Sequence, residues 1–161
     1  MSLEVSPPEL LTDHHGIADF SCGVPQLDEW LQRRALANQH SGGSRTFVLA
    51  DADHRVLAYY ALAAGAVAAA DAPGAIRRNM PAPIPVIVLG RLAVDSRMQG
   101  RKYGAFMLRD AVQRAQLVAE NAGVRAMVVH AMSDAARDFY LGYGFVPSPT
   151  DPMDLLLKLG A

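Results

Sequence analysis

The segment 86–105, Val-Ile-Val-Leu-Gly-Arg-Leu-Ala-Val-Asp-Ser-Arg-Met-Gln-Gly-Arg-Lys-Tyr-Gly-Ala, constrains the fold of this chain more than any other. An apolar, β-branched run ends at Val94, a short polar loop follows, and Gln99, Gly100 and Gly104 gather where a helix must begin. The pattern predicts a strand, a tight turn and a helix N-terminus. Such a turn leaves successive backbone N–H groups unpaired at the positive end of a helix dipole, which suits an anion and above all a pyrophosphate. A nucleotide P-loop is excluded because no Ser or Thr follows Lys102 to hold magnesium. A dinucleotide fingerprint is excluded because the Gly100–Gly104 spacing is wrong and the loop comes past the middle of the chain.

A second signature follows the next strand, residues 125–131. Ser133 is a good N-cap and Asp134 suits the first turn of a helix. Ala136, Phe139, Tyr140 and Tyr143 recur at helical spacing, Gly142 or Gly144 can end the helix, and Pro147 prevents its resumption.

The remaining order is that of an α+β protein. Residues 24–40 read as one helix with Pro25 in its first turn and Leu27, Trp30, Leu31 and Ala35 on one face. Residues 45–50 and 55–62 read as a hairpin around the Asp-rich turn 51–54. Residues 71–85 hold four of the ten prolines, so an irregular excursion is expected, with at most a short helix near 74–79. The helix after the turn places Ala105, Leu108, Val112, Ala115, Ala119 and Ala122 on one stripe, with Gly123 as its C-cap. Residues 153–159 are the last strand.

At 161 residues the chain is expected to form a single domain over 1–161. It is 51% hydrophobic, yet no apolar run is long enough for a membrane span, so no membrane association is expected. Met1-Ser2-Leu3-Glu4 shows no basic-plus-apolar pattern, so no signal sequence is expected. The one cysteine, Cys22, excludes an internal disulfide and suits a reducing cytoplasm. No histidine is placed by motif to activate it, and it reads as a small buried hydrophobe.

The turn resembles the acyl-CoA loop of the GNAT superfamily of N-acetyltransferases, Gln/Arg-x-x-Gly-x-Gly/Ala, through Gln99, Gly104 and the residues between. Lys102 stands where that family usually has its first glycine. The second signature resembles the family's ending, Asn-x-x-Ala-x-x-x-Tyr-x-x-x-Gly-Phe, through Ser133, Ala136, Tyr140, Gly144 and Phe145, with Ser133 replacing the commoner Asn. The resemblance implies the GNAT fold, a splayed mixed sheet flanked by helices, with acetyl-CoA as donor and no metal. It implies that the backbone of Leu92, Ala93 and Val94 meets the pantetheine as an added strand would. It assigns the pyrophosphate to the amides of Gln99, Gly100, Arg101, Lys102, Tyr103, Gly104 and Ala105, and places Ser133 and Phe139 beside the CoA arm. Tyr140 becomes the general acid for the leaving thiolate, a role that a phenol with an ordinary pKa near 10 fills at neutral pH. Its other reading is an aromatic on a packed helix face. Tyr143 reads as structural. Lys102 has two outcomes. With negative φ its ammonium adds charge for the CoA phosphates, and with positive φ it is strained and affinity falls.

Within that superfamily the chain resembles the GNAT toxins of bacterial toxin–antitoxin modules. The resemblance runs from Leu10 to Leu159 through Phe20-Ser-Cys-Gly23, Leu27-Asp-Glu-Trp-Leu31, Ser44-Arg-Thr-Phe-Val48, Tyr59-Tyr60-Ala-Leu-Ala-Ala-Gly65, Leu89-Gly-Arg-Leu-Ala-Val-Asp95 and Phe145-Val-Pro-Ser-Pro149. It implies acetylation of the α-amine of aminoacyl-tRNA, which blocks translation, a homodimer, and neutralisation by a ribbon–helix–helix antitoxin. An α-amine is less basic than a lysine side chain and an adjacent ester lowers it further, so it is largely neutral at cellular pH and no strong catalytic base is required. Asp95 and His130 lie near strand ends where a base could sit, or are plain polar strand-end residues. Fifteen Lys and Arg against sixteen Asp and Glu give net −1, unlike the basic surface of most tRNA binders. Arg77, Arg78 and Arg91 are nonetheless expected to guide the acceptor end. Two other readings stay open: an acetyltransferase for small amines or protein N-termini, and a non-catalytic CoA-binding or regulatory subunit if Lys102 cripples transfer.

Overall fold

The Asp51 carboxylate closes the first hairpin. It accepts from the amides of Asp53 (2.9 Å) and Arg55 (3.0 Å) and from Arg55 Nε (3.1 Å). Strands β2 (Arg45–Ala50) and β3 (Val56–Val67) leave this turn. They pair antiparallel from Arg45↔Leu62 onward, with an irregularity between Leu49 and Ala50.

The computed structural model describes residues 7–160; the opening Met1–Glu4, read above for a signal sequence, lies outside them. The other strands are β1 (Glu9–Leu10), β4 (Ile84–Val94), β5 (Ala126–His130), β6 (Val146–Pro147) and β7 (Asp154–Lys158). All seven form one sheet in the order β1-β2-β3-β4-β5-β7-β6. β4 and β5 run parallel through Val86↔Ala126, Ile87↔Met127 and Val88↔Val128, while β5 and β7 are antiparallel, so the sheet is mixed. The two edge strands, β1 and β6, are too short for the sequence pattern to register. Pro147 is tolerated in β6 because an edge strand does not need every N–H in a ladder. Among the described residues no helix is long and apolar enough to cross a membrane.

The chain divides into two compact units, one of residues up to 63 with 91–111, the other of 64–90 with the residues from 112 on. In the first unit the segment expected as one helix is two, α1 (Pro25–Arg33) and α2 (Ala35–Ser41), broken at Arg34 with φ −121° and ψ −31°. The apolar spacing is continuous across the break, since Leu31 and Ala35 are both fully buried in one core. Periodicity therefore carries no sign of it. That core also holds Leu11, Phe20, Val48, Val56, Tyr59 and Ala93. Cys22 is buried there, as expected. Burial and the hydrogen bond with Asp28 push its thiol up to about 11.

The helix after the turn, α4 (Tyr103–Asn121), departs from the expected stripe. Met107, Leu108, Ala111 and Ala115 are its buried residues, and Ala122 is exposed beyond its end. The alanine spacing pointed a few tens of degrees away from the true inward face, because methionine was left out of the stripe. Gly123 is not a left-handed cap, for it has no positive φ. The Asn121 side chain bonds the Leu117 carbonyl instead (2.8 Å).

In the second unit the excursion contains a 3-10 turn (Ala69–Asp71) and a short helix α3 (Gly74–Arg77) anchored by buried Ile76. Polar side chains fix it. Arg125 donates to the carbonyls of Ile76 and Ala75 (both 3.1 Å), while Ser148 Oγ and Thr150 Oγ1 donate to the Asp71 backbone and carboxylate (both 2.6 Å). Helix α5 (Asp134–Gly142) ends before Gly144, which takes φ +93°.

Candidate active site

The first unit carries the turn. Asp95 starts it as N-cap of a 3-10 turn (Ser96–Met98). Its carboxylate, 2% exposed, accepts from Arg97 Nε (2.8 Å) and Nη2 (3.2 Å) and from the amides of Arg97 (3.0 Å) and Ser21 (3.1 Å). Burial alone would raise this carboxyl, but the bonds from Arg97 and Ser21 outweigh it and hold Asp95 below the usual carboxylate range. A carboxylate so saturated with donors is a poor base near neutral pH. Arg97 is correspondingly committed and is not a free charge for ligand.

Gln99 turns inward. Its side-chain amide donates to the carbonyls of Cys22 (2.8 Å) and Val94 (2.9 Å), so the side chain ties the loop to the strand it leaves, and what Gln99 offers a ligand is its backbone. Gly100 takes φ +80°, and a Cβ there would meet nothing within 4 Å, so the main chain is open to approach. Lys102 takes φ +66°. Of the two outcomes weighed for this residue, the backbone is the strained one, and its exposed ammonium is still available. The first intrahelical bond of α4 runs from the Phe106 amide to the Lys102 carbonyl (3.1 Å). The amides of Tyr103, Gly104 and Ala105 are therefore the orphan donors that open a helix. Turn, donors and cation fit a pyrophosphate. β4 runs on to Val94 although its ladder with β5 spans Val86–Val88; Leu92, Ala93 and Val94 lie beyond that ladder.

Tyr140 belongs to the second unit. Ser133 caps α5 as expected, its Oγ accepting from the Ala136 amide (3.1 Å). Tyr140 is 6% exposed, packed edge-on against Phe139 (5.2 Å between centroids) and Phe145 (5.5 Å). Burial pushes the phenol well above its ordinary value, so it is fully protonated at neutral pH. Tyr143, by contrast, is 43% exposed. Each of the two readings of Tyr140 has a physical counterpart: it is packed, and it is a protonated acid.

His130 pairs with Asp154 across β5 and β7, Nδ1 to Oδ1 at 2.6 Å. Asp151 adds a third potential ligand atom to this surface group, all within 4.8 Å of one another. Sequence spacing gave no hint of this convergence, because it depends on the β5–β7 register. Arg77 and Arg78 are exposed at the end of α3. Arg91, in the first unit, is half-buried with its guanidinium carbon 4.3 Å from the centre of the Trp30 ring. That contact, too, was not legible from the sequence.

An acetyltransferase (GNAT) domain model matches residues 43–147, spanning both signatures. The chain belongs to the GNAT acetyltransferase family. It has the fold of that family, and its donor class is acyl-CoA. A tRNA-acetylating toxin of Mycobacterium tuberculosis is 53% identical over 154 residues, covering 96% of this chain and 92% of the relative. Among solved structures, AtaT complexed with acetyl-methionyl-tRNAfMet aligns with a TM-score of 0.88 at 25% identity, covering 96% of this chain and 95% of that one. AtaTR bound with AcCoA aligns with a TM-score of 0.80 at 26% identity, covering 96% and 92%.

Proposed function

We propose that this GNAT enzyme transfers acetyl from acetyl-CoA to the α-amine of an aminoacyl-tRNA and so acts as a toxin on translation. The observation that carries this reading is the 53% identity, across 96% of the chain, to a protein named for acetylating tRNA. The AtaT structure with acetyl-methionyl-tRNAfMet supports the same substrate class.

When bound, acetyl-CoA supplies an acetyl group activated as a thioester. The amides from Gln99 to Ala105, with the Lys102 ammonium, would hold its pyrophosphate, and the backbone of Leu92, Ala93 and Val94 its pantetheine. Ser133 and Phe139 would lie along the same arm. The neutral α-amine forms the new N–C bond as the C–S bond breaks. Tyr140 gives its phenolic proton to the departing sulfur and is reprotonated by the proton that the amine loses. Burial makes a phenolate unfavourable, but it makes a bare thiolate unfavourable as well, so a proton passed between them avoids both charges. No residue here is needed as a strong base, in keeping with the neutralised role of Asp95. Arg77, Arg78 and Arg91 would hold acceptor-end phosphates, arginine forks being suited to bidentate contact.

The same family likeness supports a cytoplasmic homodimer held in check by a ribbon–helix–helix antitoxin. The net charge of −1 favours a rival reading, a small-amine or N-terminal acetyltransferase without nucleic acid. The test is acetyl transfer from labelled acetyl-CoA to charged tRNA and to free amino acids at several salt concentrations. We expect acetylated aminoacyl-tRNA, with a KM that rises steeply with salt. Equal turnover of free amino acids with no added salt sensitivity for tRNA would return the chain to the rival class.

A further inference from the structure

Arg91 and Tyr59 both pack on the Trp30 ring in the first unit. The Arg91 guanidinium lies 4.3 Å from the Trp30 ring centre, and the Trp30 and Tyr59 rings are nearly parallel, 13° apart with centroids at 5.9 Å. The Tyr59 ring is held in place. Tyr59 is fully buried, and its hydroxyl donates to the Leu27 carbonyl of α1 at 2.6 Å, the same helix that carries Trp30. Arg91 has lost part of its hydration, and burial lowers its pKa from the ordinary value. Among the described residues no carboxylate forms an ion pair with it, and the phenol of Tyr59 is the neighbouring group that acts on its charge.

A half-buried cation that meets no counter-anion among the described residues is costly, and cation–π contact offsets only part of its lost hydration. Stacking also dictates what the arginine has left to offer. The guanidinium carbon rests over the indole, which leaves the N–H donors of its rigid planar fork as what it can offer a ligand. A planar fork held in one orientation by an aromatic floor is pre-organised for an oxyanion with two acceptors, and it loses little side-chain freedom on binding.

We propose that Trp30 and Arg91 form an anion subsite that takes one phosphate of the single-stranded 3′ end of the aminoacyl-tRNA. Trp30 is its positioning residue, setting the plane of the Arg91 fork without touching the reacting atoms. This rests on the tRNA reading given above and adds to it a defined subsite.

Trp30 is the one tryptophan of the chain, so its fluorescence reports directly on the stack. The whole protein is titrated with a deacylated RNA hairpin bearing the 3′ end of tRNA and, separately, with CoA. We expect the hairpin to change Trp30 emission, CoA to leave it nearly unchanged, and Arg91→Gln to abolish the hairpin response. In steady-state assays Arg91→Gln and Trp30→Ala should each raise KM for aminoacyl-tRNA about tenfold, the scale of one charge-assisted contact. Each should lower the salt slope by about 0.7, the value of one single-strand phosphate contact. The double variant should be no worse than either single one, and Trp30→Phe should recover most of the loss because it keeps an aromatic face. Additive losses, an unchanged salt slope in folded Trp30→Ala and Arg91→Gln, no recovery in Trp30→Phe, or an emission change with CoA alone would overturn the subsite. Wild-type acetylation of aminoacyl-tRNA is the control that separates the two readings. If it is absent, the tRNA reading fails; if it is present while the variants behave as wild type, only the subsite fails.

Discussion

The Asp95 carboxylate grips Arg97 through two nitrogens, Nε at 2.8 Å and Nη2 at 3.2 Å, at the point where β4 becomes the turn. The pair is not a surface ornament, because Asp95 is almost wholly buried and also receives two backbone amides. Removing it as Asp95→Ala leaves the Ser21 and Arg97 donors without an acceptor, which should destabilise the fold by about 2–3 kcal/mol. Its folded pKa lies below the 3.8 of a free carboxyl. The contribution is therefore fully present above pH 3.8 and fades as pH falls through the lower folded value. Urea denaturation of wild type and variant at pH 7 and at pH 3 checks both points, with a smaller difference expected at the lower pH.

Lys102 gives a sharper separation of strain from charge. Its φ of +66° lies in the left-handed region of the backbone, so glycine relieves strain in the fold itself. Lys102→Gly should raise stability by about 0.5–1 kcal/mol, since a left-handed non-glycine residue costs about 1–2 and glycine's looser unfolded state offsets part of it. The same variant should weaken CoA binding a few-fold and flatten its salt dependence, because the ammonium is gone. Thermal unfolding and calorimetry with CoA measure the two effects independently. Tighter binding in Lys102→Gly would mean that the backbone still moves when ligand arrives.

Tyr140→Phe deletes one hydroxyl from a packed ring and should leave the fold and CoA affinity close to wild type. Acetyl transfer should fall about a hundredfold or more, the usual worth of a placed acid. Tyr143→Phe should have little effect, as Tyr143 is 43% exposed. Turnover that survives the first change and collapses with the second would reassign the acid.

Charge reversal at Arg77 and Arg78 tests the second unit. Both sit at the end of a short helix pinned by Arg125, so their replacement by glutamate should not disturb the core. KM for aminoacyl-tRNA should rise and its salt dependence weaken, while CoA affinity stays the same. An unchanged KM would remove these two residues from the RNA-binding surface.

Cys22 should resist alkylation. With its thiol raised from 9.0 to about 11, the thiolate fraction at pH 8 is about a hundredfold smaller than in the unfolded chain, and the thiolate is the reacting form. Iodoacetamide labelling, followed by mass spectrometry, should be slow in the native protein and fast in denaturant. Because the folded value is raised, the stability tied to this thiol holds below pH 9 and is lost as pH rises toward 11.

The turn and the last helix were legible in the sequence because their signals are local. A β-branched run, a cluster of glycines and an N-capping serine act within a few residues of themselves, and the structure places β4, α4 and α5 accordingly. The short hairpin turn was legible for the same reason. What the sequence left undetermined depends on partners far along the chain. The break at Arg34 leaves Leu31 and Ala35 in register, so no periodicity marks it. Asp95 lost its candidacy as a base only once Arg97 and Ser21 closed around it, and His130 met Asp154 only through the β5–β7 register. The sign of φ at Lys102 was open because a lone lysine fits either region, and the turn geometry chose the rarer one. Local chemistry fixes where a helix starts and where a chain can bind an anion; desolvation, ion pairing and stacking, as of Arg91 on Trp30, exist only after distant residues have been brought together.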